Sequence, residues 1–177
     1  RYAFLRSLPG KIATAHTADD NAETVLLHLV RGTGLKGLGG ISPMSGNVIR
    51  PMLTVTRREV EAFLSEYALP HREDSTNATD LFLRNRIRRN VMPLLLQENP
   101  SLAENLSDMA LGLREDEDYL FRMAGETLPG VAALREMHPA LRARALERFL
   151  KENGVSEPEK RHIALLEQLV FSDKPSA

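Results

Sequence analysis

The 177 residues include 23 basic and 24 acidic side chains, for a net charge of −1, and 42% are hydrophobic. A sizeable core is therefore affordable, and any polyanionic partner must be met by a local patch and not by overall charge. There is no cysteine, which excludes disulfides, thiolate nucleophiles and Cys-based zinc sites and points to a reducing, cytoplasmic setting. No apolar run approaches the roughly 20 residues that span a bilayer, and Arg1-Tyr2-Ala3-Phe4-Leu5 is too short for a secretory signal, so no membrane is expected as a partner.

Lys11-Ile12-Ala13-Thr14-Ala15 follows Pro9-Gly10 and reads as a short buried strand feeding a helix. With Thr17 as N-cap, Asp20 falls at N3 and completes a capping box, while Ala22, Val25, Leu26 and Leu29 form a core-facing stripe that ends at Gly32. Asp20 and Glu23 then share one helical face, with Asp19 beside them and His16 just before the first turn. Taken singly, each acid complements the positive end of the helix. Taken together, two carboxylates on one face repel unless a cation lies between them. That favours Mg²⁺ or a substrate ammonium held by Asp20 and Glu23. In open α/β sheets ligands gather at the carboxyl ends of strands, which is where His16 to Glu23 would lie.

Gly32, Gly34, Gly37, Gly39 and Gly40, with Lys36 among them, raise the question of a phosphate-cradling loop. Neither the Walker pattern nor the dinucleotide fingerprint is present, so a flexible or tightly turned connection is the preferred reading. Val48 to Leu53 reads as a second short strand, which Pro51 pushes toward a sheet edge or a strand end. Thr56-Arg57-Arg58-Glu59 is a capping box, and Val60, Phe63, Leu64 and Tyr67 predict a helix over 57–68 that Pro70 stops. His71 to Asp80 reads as a polar loop. Leu83, Ile87, Val91 and Leu94 then recur at helical spacing, with Pro93 expected to kink or end the helix.

This helix carries Arg84, Asn85, Arg86, Arg88 and Arg89, the densest basic patch of a nearly neutral chain. Arg84 and Arg88 lie one turn apart and could clamp a phosphate of a nucleotide or an RNA backbone. They could equally form an exposed flank balanced by Glu73, Asp74 and Asp80. From Ser101 onward long amphipathic patterns take over, which places a domain boundary at Glu98-Asn99-Pro100 and divides the chain into 1–98 and 99–177. Ser101 to Glu104 reads as a capping box opening a long helix with Leu106, Met109, Leu113, Leu120 and Met123 inward, interrupted by Glu115 to Asp118 as a solvated acidic turn. Pro139 at N1 opens a helix ended by Gly154, and Ser156 to Glu159 cap a last one with Ile163, Leu166, Leu169 and Val170 inward. His138 and His162 read as isolated surface or packing residues.

Five blocks in order resemble the tRNA(Ile)-lysidine synthetase family. They are His16 to Thr24, Arg31-Gly32-Thr33-Gly34-Leu35-Lys36-Gly37-Leu38, Arg50-Pro51-Met52-Leu53, Asp74-Ser75-Thr76-Asn77 and Arg84-Asn85-Arg86-Ile87-Arg88. The resemblance covers roughly residues 11 to 95; the helices beyond are only loosely similar to that family's connecting and substrate-binding helices. It implies the C-terminal part of a PP-loop ATP pyrophosphatase domain, an α/β domain like those of the adenine nucleotide alpha hydrolases, followed by a mainly α-helical domain. The implied reaction uses ATP and Mg²⁺ to adenylate C2 of the wobble cytidine of tRNA(Ile), after which the ε-amine of free lysine displaces AMP. In such a site His16, Asp20 and Glu23, with Asp19, line the nucleotide and lysine pocket, and Arg84, Asn85 and Arg88 hold phosphate or tRNA backbone. A homodimer is left open. The family's Ser-Gly-Gly-x-Asp-Ser loop does not occur in these residues, so the sequence is expected to be an internal fragment with little activity alone. The alternatives are another PP-loop tRNA modifier, disfavoured by the missing cysteine pairs, and a non-catalytic tRNA-binding module built on Arg84 to Arg89.

Overall fold

The computed structural model describes Phe4, Ser7 and residues 9–71 and 83–172. The acids Glu73, Asp74 and Asp80, and the Asp74 to Asn77 block, lie outside the described residues. The chain divides into two compact units, Arg1–Arg114 and Glu115–Ala177.

In the first unit, β1 (Ile12–Ala13) runs parallel to β3 (Val48–Ile49), which pairs antiparallel with β2 (Met44–Ser45), giving the order β1-β3-β2. β3 is thus the middle strand of the described sheet. Pro51 follows its end, where a missing N–H costs the ladder nothing, so its strand-end placement holds and its edge placement does not. β1 leads through Thr14 to Thr17 into α1 (Ala18–Arg31), capped as expected and closed by Gly32 at φ 75°. The glycine-rich stretch forms one short helix, α2 (Leu35–Leu38), between turns, and α3 (Arg57–Glu66) starts on the Thr56–Glu59 capping box.

The arginine-bearing segment is built differently from the predicted stripe. It is α4 (Leu83–Arg86), a π-turn (Ile87–Val91) and α5 (Met92–Glu98). Met92 N–H bonds Ile87 C=O, five residues back, and Pro93, which has no N–H and whose ring would strike the preceding turn, sits at the start of α5. The π-turn shifts the register, so Ile87 and Met92 are buried while Val91 and Leu94 are exposed. Ala18, Ala22, Ile87, Met92 and Ala103 make the core, with Leu26, Leu83, Leu96 and Leu106 against it.

α6 (Leu102–Met123) is continuous through Glu115 to Asp118. The predicted acidic turn is therefore helix, because these side chains find cations: Asp118 pairs with Arg122 one turn on, and Glu117 with Arg144. Met109 and Met123, read as inward, are exposed; Ala103 and Ala110 are the buried residues of α6. The division between units falls within this helix, after Arg114, beyond the change of composition at Glu98 to Pro100.

The second unit adds α7 (Val131–Glu136), which periodicity did not suggest, α8 (Pro139–Glu152) and α9 (Lys160–Val170). Both histidines read as isolated act at helix starts: His138 Nδ1 accepts from Ala140 N–H, and His162 Nδ1 from Glu159 N–H. Ala124, Leu134, Ala145, Leu146 and Val170 form the core. Leu169, read as part of the inward stripe, is exposed. The buried Arg142 bonds Glu167 Oε1 at 3.1 Å, the carbonyls of Leu134 and Met137 at 3.3 and 2.9 Å, and lies 4.8 Å from the Phe171 ring centroid.

Arg142→Ala leaves these acceptors unsatisfied and should destabilise the second unit by about 2–3 kcal/mol; loss of hydrogen-exchange protection across α7 to α9 measures it. In the first unit, Gly40 has φ +63° and a Cβ there would lie 2.2 Å from Asn21 Oδ1, whereas Gly46 has φ +61° and open space. Gly40→Ala should therefore cost about 2 kcal/mol or more and Gly46→Ala about 1 kcal/mol in urea unfolding.

Candidate functional site

The first turn of α1 presents three successive polar residues, and at about 100° per residue they face three different neighbours. Asp19 Oδ2 accepts from Arg57 N–H at 2.6 Å, so it caps the start of α3. It also lines a cleft of about 220 Å³ with Thr56, Arg58, Leu96 and Glu104. Asp20 turns toward the arginines. The buried Asn21 accepts from Ile41 N–H at 2.7 Å through Oδ1 and donates to Ser107 Oγ at 3.3 Å.

Asp20 and Glu23 meet Arg84 and Arg88 in one array. Arg84 Nε donates to Glu23 Oε2 at 3.1 Å and its Nη2 to Asp20 Oδ1 at 3.1 Å. Arg88 Nε donates to Glu23 Oε1 at 2.5 Å, and its Nη2 to Glu23 Oε2 at 2.9 Å and Asp20 Oδ1 at 3.0 Å. The fourth carboxylate oxygen, Asp20 Oδ2, takes the N–H and hydroxyl of Thr17 at 3.0 and 3.2 Å. The cation that the paired carboxylates require is thus two guanidiniums from the chain itself. The Glu23 side chain is only 4% exposed, against 38% and 24% for Arg84 and Arg88, so solvent reaches the array from the arginine side.

The electrostatics follow this pairing. Burial pushes the Asp20 carboxyl up, but the Thr17 N–H, the charges of Arg84 and Arg88 and the Thr17 hydroxyl together outweigh it and hold the group below its ordinary value. The hydrogen bond to Glu23 holds the Arg88 proton more firmly than usual, against the effect of burial.

Those bonds also test Mg²⁺. A hard divalent cation takes several oxygens and waters in near-octahedral geometry. Here every oxygen of Asp20 and Glu23 already accepts from a guanidinium or from Thr17, and among the described residues no cluster of three or more His, Asp or Glu converges. The donor set of Asp20 and Glu23 does not fit Mg²⁺.

His16 is half-buried at the end of the β1 segment, its Nδ1 at 2.9 Å from Thr14 Oγ1. Asn85 is half-buried next to Arg84. Sequence reasoning missed the braces of the glycine-rich turn. Asn21 holds Ile41 N–H, His28 Nδ1–H donates to Gly37 C=O at 2.7 Å, and Arg114 donates to the carbonyls of Gly39 and Ile41. Burial pushes the Arg114 pKa down. The usable signal was an asparagine on the apolar face of α1. Arg114 offered none. These bonds make the stretch a pinned connection.

A strand running into a helix parallel to a neighbouring strand, with charged residues gathered where the strand ends, defines an open α/β ligand-binding domain. Residues 1–95 match the model of the PP-loop domain, and residues 131–176 that of the TilS substrate binding domain. The chain belongs to the PP-loop domain family. It is similar to the tRNA(Ile)-lysidine synthase of Caldanaerobacter subterraneus, 40% identical over 94% of this chain and 38% of that protein. The protein of the same name from Geobacter sulfurreducens is 35% identical over 99% and 42%, and that from Dehalococcoides mccartyi 34% identical over 99% and 43%. The chain thus spans about two fifths of the length of these relatives. No helix among the described residues is long and apolar enough to cross a membrane.

The lowered pKa of Asp20 has a defined signature. Its carboxylate stabilises the fold above the ordinary value of 3.8, and that contribution fades as pH falls through the still lower folded-state value. Asp20→Asn should therefore destabilise the protein at neutral pH, with the difference from the parent closing below 3.8. Urea unfolding across the acid range checks this; a difference that widens with acid would contradict it.

Proposed function

We propose that this chain is part of a cytoplasmic tRNA(Ile)-lysidine synthase, an ATP-dependent ligase that joins lysine to C2 of the wobble cytidine of tRNA(Ile). The observation that carries the proposal is the array of Asp20 and Glu23 with Arg84 and Arg88. It lies within the PP-loop match and opens toward solvent on its arginine side. The names of the relatives supply the reaction.

In this reading the carboxylates recognise the ε-ammonium of lysine and the guanidiniums recognise phosphate oxygens, from ATP or from the tRNA backbone. Asn85 sits beside that phosphate site. A carboxylate held below its ordinary pKa is a poor base, so Asp20 binds and orients and does not take the proton from the attacking amine. That step falls to the imidazole of His16, the side-chain type that most often serves as a general base. Asp19 acts by fixing α3 against the start of α1. Mg²⁺ has no part in the role proposed for Asp20 and Glu23.

In the complete gene product carrying this sequence, Asp20→Ala and Glu23→Ala should each lower lysine incorporation into tRNA(Ile) by at least about 100-fold, an effect typical of lost substrate orientation. Incorporation of labelled lysine into the tRNA measures it, and undiminished incorporation in both variants would remove the site assignment.

A further inference from the structure

We infer that the array is an exchange site, in which a phosphate-type anion at Arg84 and Arg88 and an ammonium at Asp20 and Glu23 each bind more tightly when the other is present. The identity of the ligands rests on the function proposed above; the coupling rests on the bonds of the array.

Two cations and two anions are satisfied by one another, with every carboxylate oxygen engaged. An anion arriving alone would draw the half-buried arginines outward and leave the Glu23 carboxylate unpaired, with its side chain only 4% exposed. That is among the least favourable arrangements a protein can adopt. An ammonium arriving alone would have to displace guanidiniums that already bond both carboxylates, and would crowd three positive charges together. When both arrive, the arginines exchange carboxylate for phosphate, the carboxylates exchange guanidinium for ammonium, and no buried charge is left alone. Long arginine side chains on a solvent-facing edge can make this move without unfolding α1. The coupling is reciprocal by thermodynamic necessity. One consequence is selectivity against a half-filled site.

The test is calorimetric titration of the full chain with inorganic pyrophosphate, with and without saturating lysine. Pyrophosphate should bind about tenfold more tightly with lysine present, and lysine more tightly with pyrophosphate, within the usual range of such couplings. Norleucine, which lacks the ε-ammonium, should have no such effect. Affinity that is equal with and without lysine for both pyrophosphate and an anticodon stem-loop RNA would overturn the inference. Glu23→Gln should free the arginines, so that pyrophosphate binds tightly without lysine and no longer responds to it; weaker binding in a folded Glu23→Gln protein would also overturn it. If that variant does not fold, Asp20→Asn, which removes only the bonds to Asp20 Oδ1, should tighten pyrophosphate binding without lysine and shrink, but not abolish, the response to lysine. An anticodon stem-loop RNA in place of pyrophosphate separates the two anion sources, since lysine-dependent tightening seen only with RNA supports the exchange and places backbone phosphate at the arginines. Lysine incorporation that needs both carboxylates alongside uncoupled affinities would defeat the exchange and leave the proposed function standing. Undiminished incorporation with no binding of either ligand would defeat both.

Discussion

A carboxylate with almost no access to water must be paired, and Glu23 is such a carboxylate. Its partners, Arg84 and Arg88, lie 61 and 65 residues away along the chain, so satisfying one buried charge fixes α1 against the arginine-bearing segment. The core beneath uses the same contact, with Ala18 and Ala22 of α1 packed in one cluster with Ile87 and Met92. Small residues on α1 allow close approach, and the charges above them set the orientation. Apolar packing supplies the driving force, while the ion pairs make one arrangement acceptable and its alternatives costly.

The arginine-bearing segment meets two demands at once. It must bury Ile87 and Met92 and yet present Arg84 and Arg88 to α1. An uninterrupted α-helix would ask Pro93 for an N–H it does not have. The π-turn absorbs that defect, places Pro93 at the start of the next helix where no donor is needed, and rotates Met92 inward in place of Val91. Asp19, Asp20 and Asn21 show a related economy. Three consecutive residues serve the start of α3, the arginine array and the glycine-rich turn, so the chemistry of the site is tied to the packing of three neighbouring pieces.

Local features were legible wherever neighbours in sequence are also partners in space. The capping boxes at Thr17–Asp20 and Thr56–Glu59, the closing glycine at Gly32, the core-facing Ala22 and Val25, and Pro139 at a helix start all depend on contacts within about one turn. The same local logic showed that Asp20 and Glu23 share a face and need a cation. It misjudged the acidic run in α6 as a turn because Arg144, the partner of Glu117, lies 27 residues away. It likewise left His138 and His162 without a role, although a lone imidazole before a helix can serve as its cap.

The sequence alone therefore determined that strand, helix and charged residues meet at one point, and that two carboxylates and two arginines are the groups that matter there. Only the tertiary structure decided that these groups are one another's partners, that Asp19 belongs to α3, and that Asn21 and Arg114 pin the glycine-rich turn. The physical reason is distance along the chain. Helical period and capping chemistry act over a few residues and can be read directly, whereas the identity of the countercharge for a buried group depends on which remote segment packs above it.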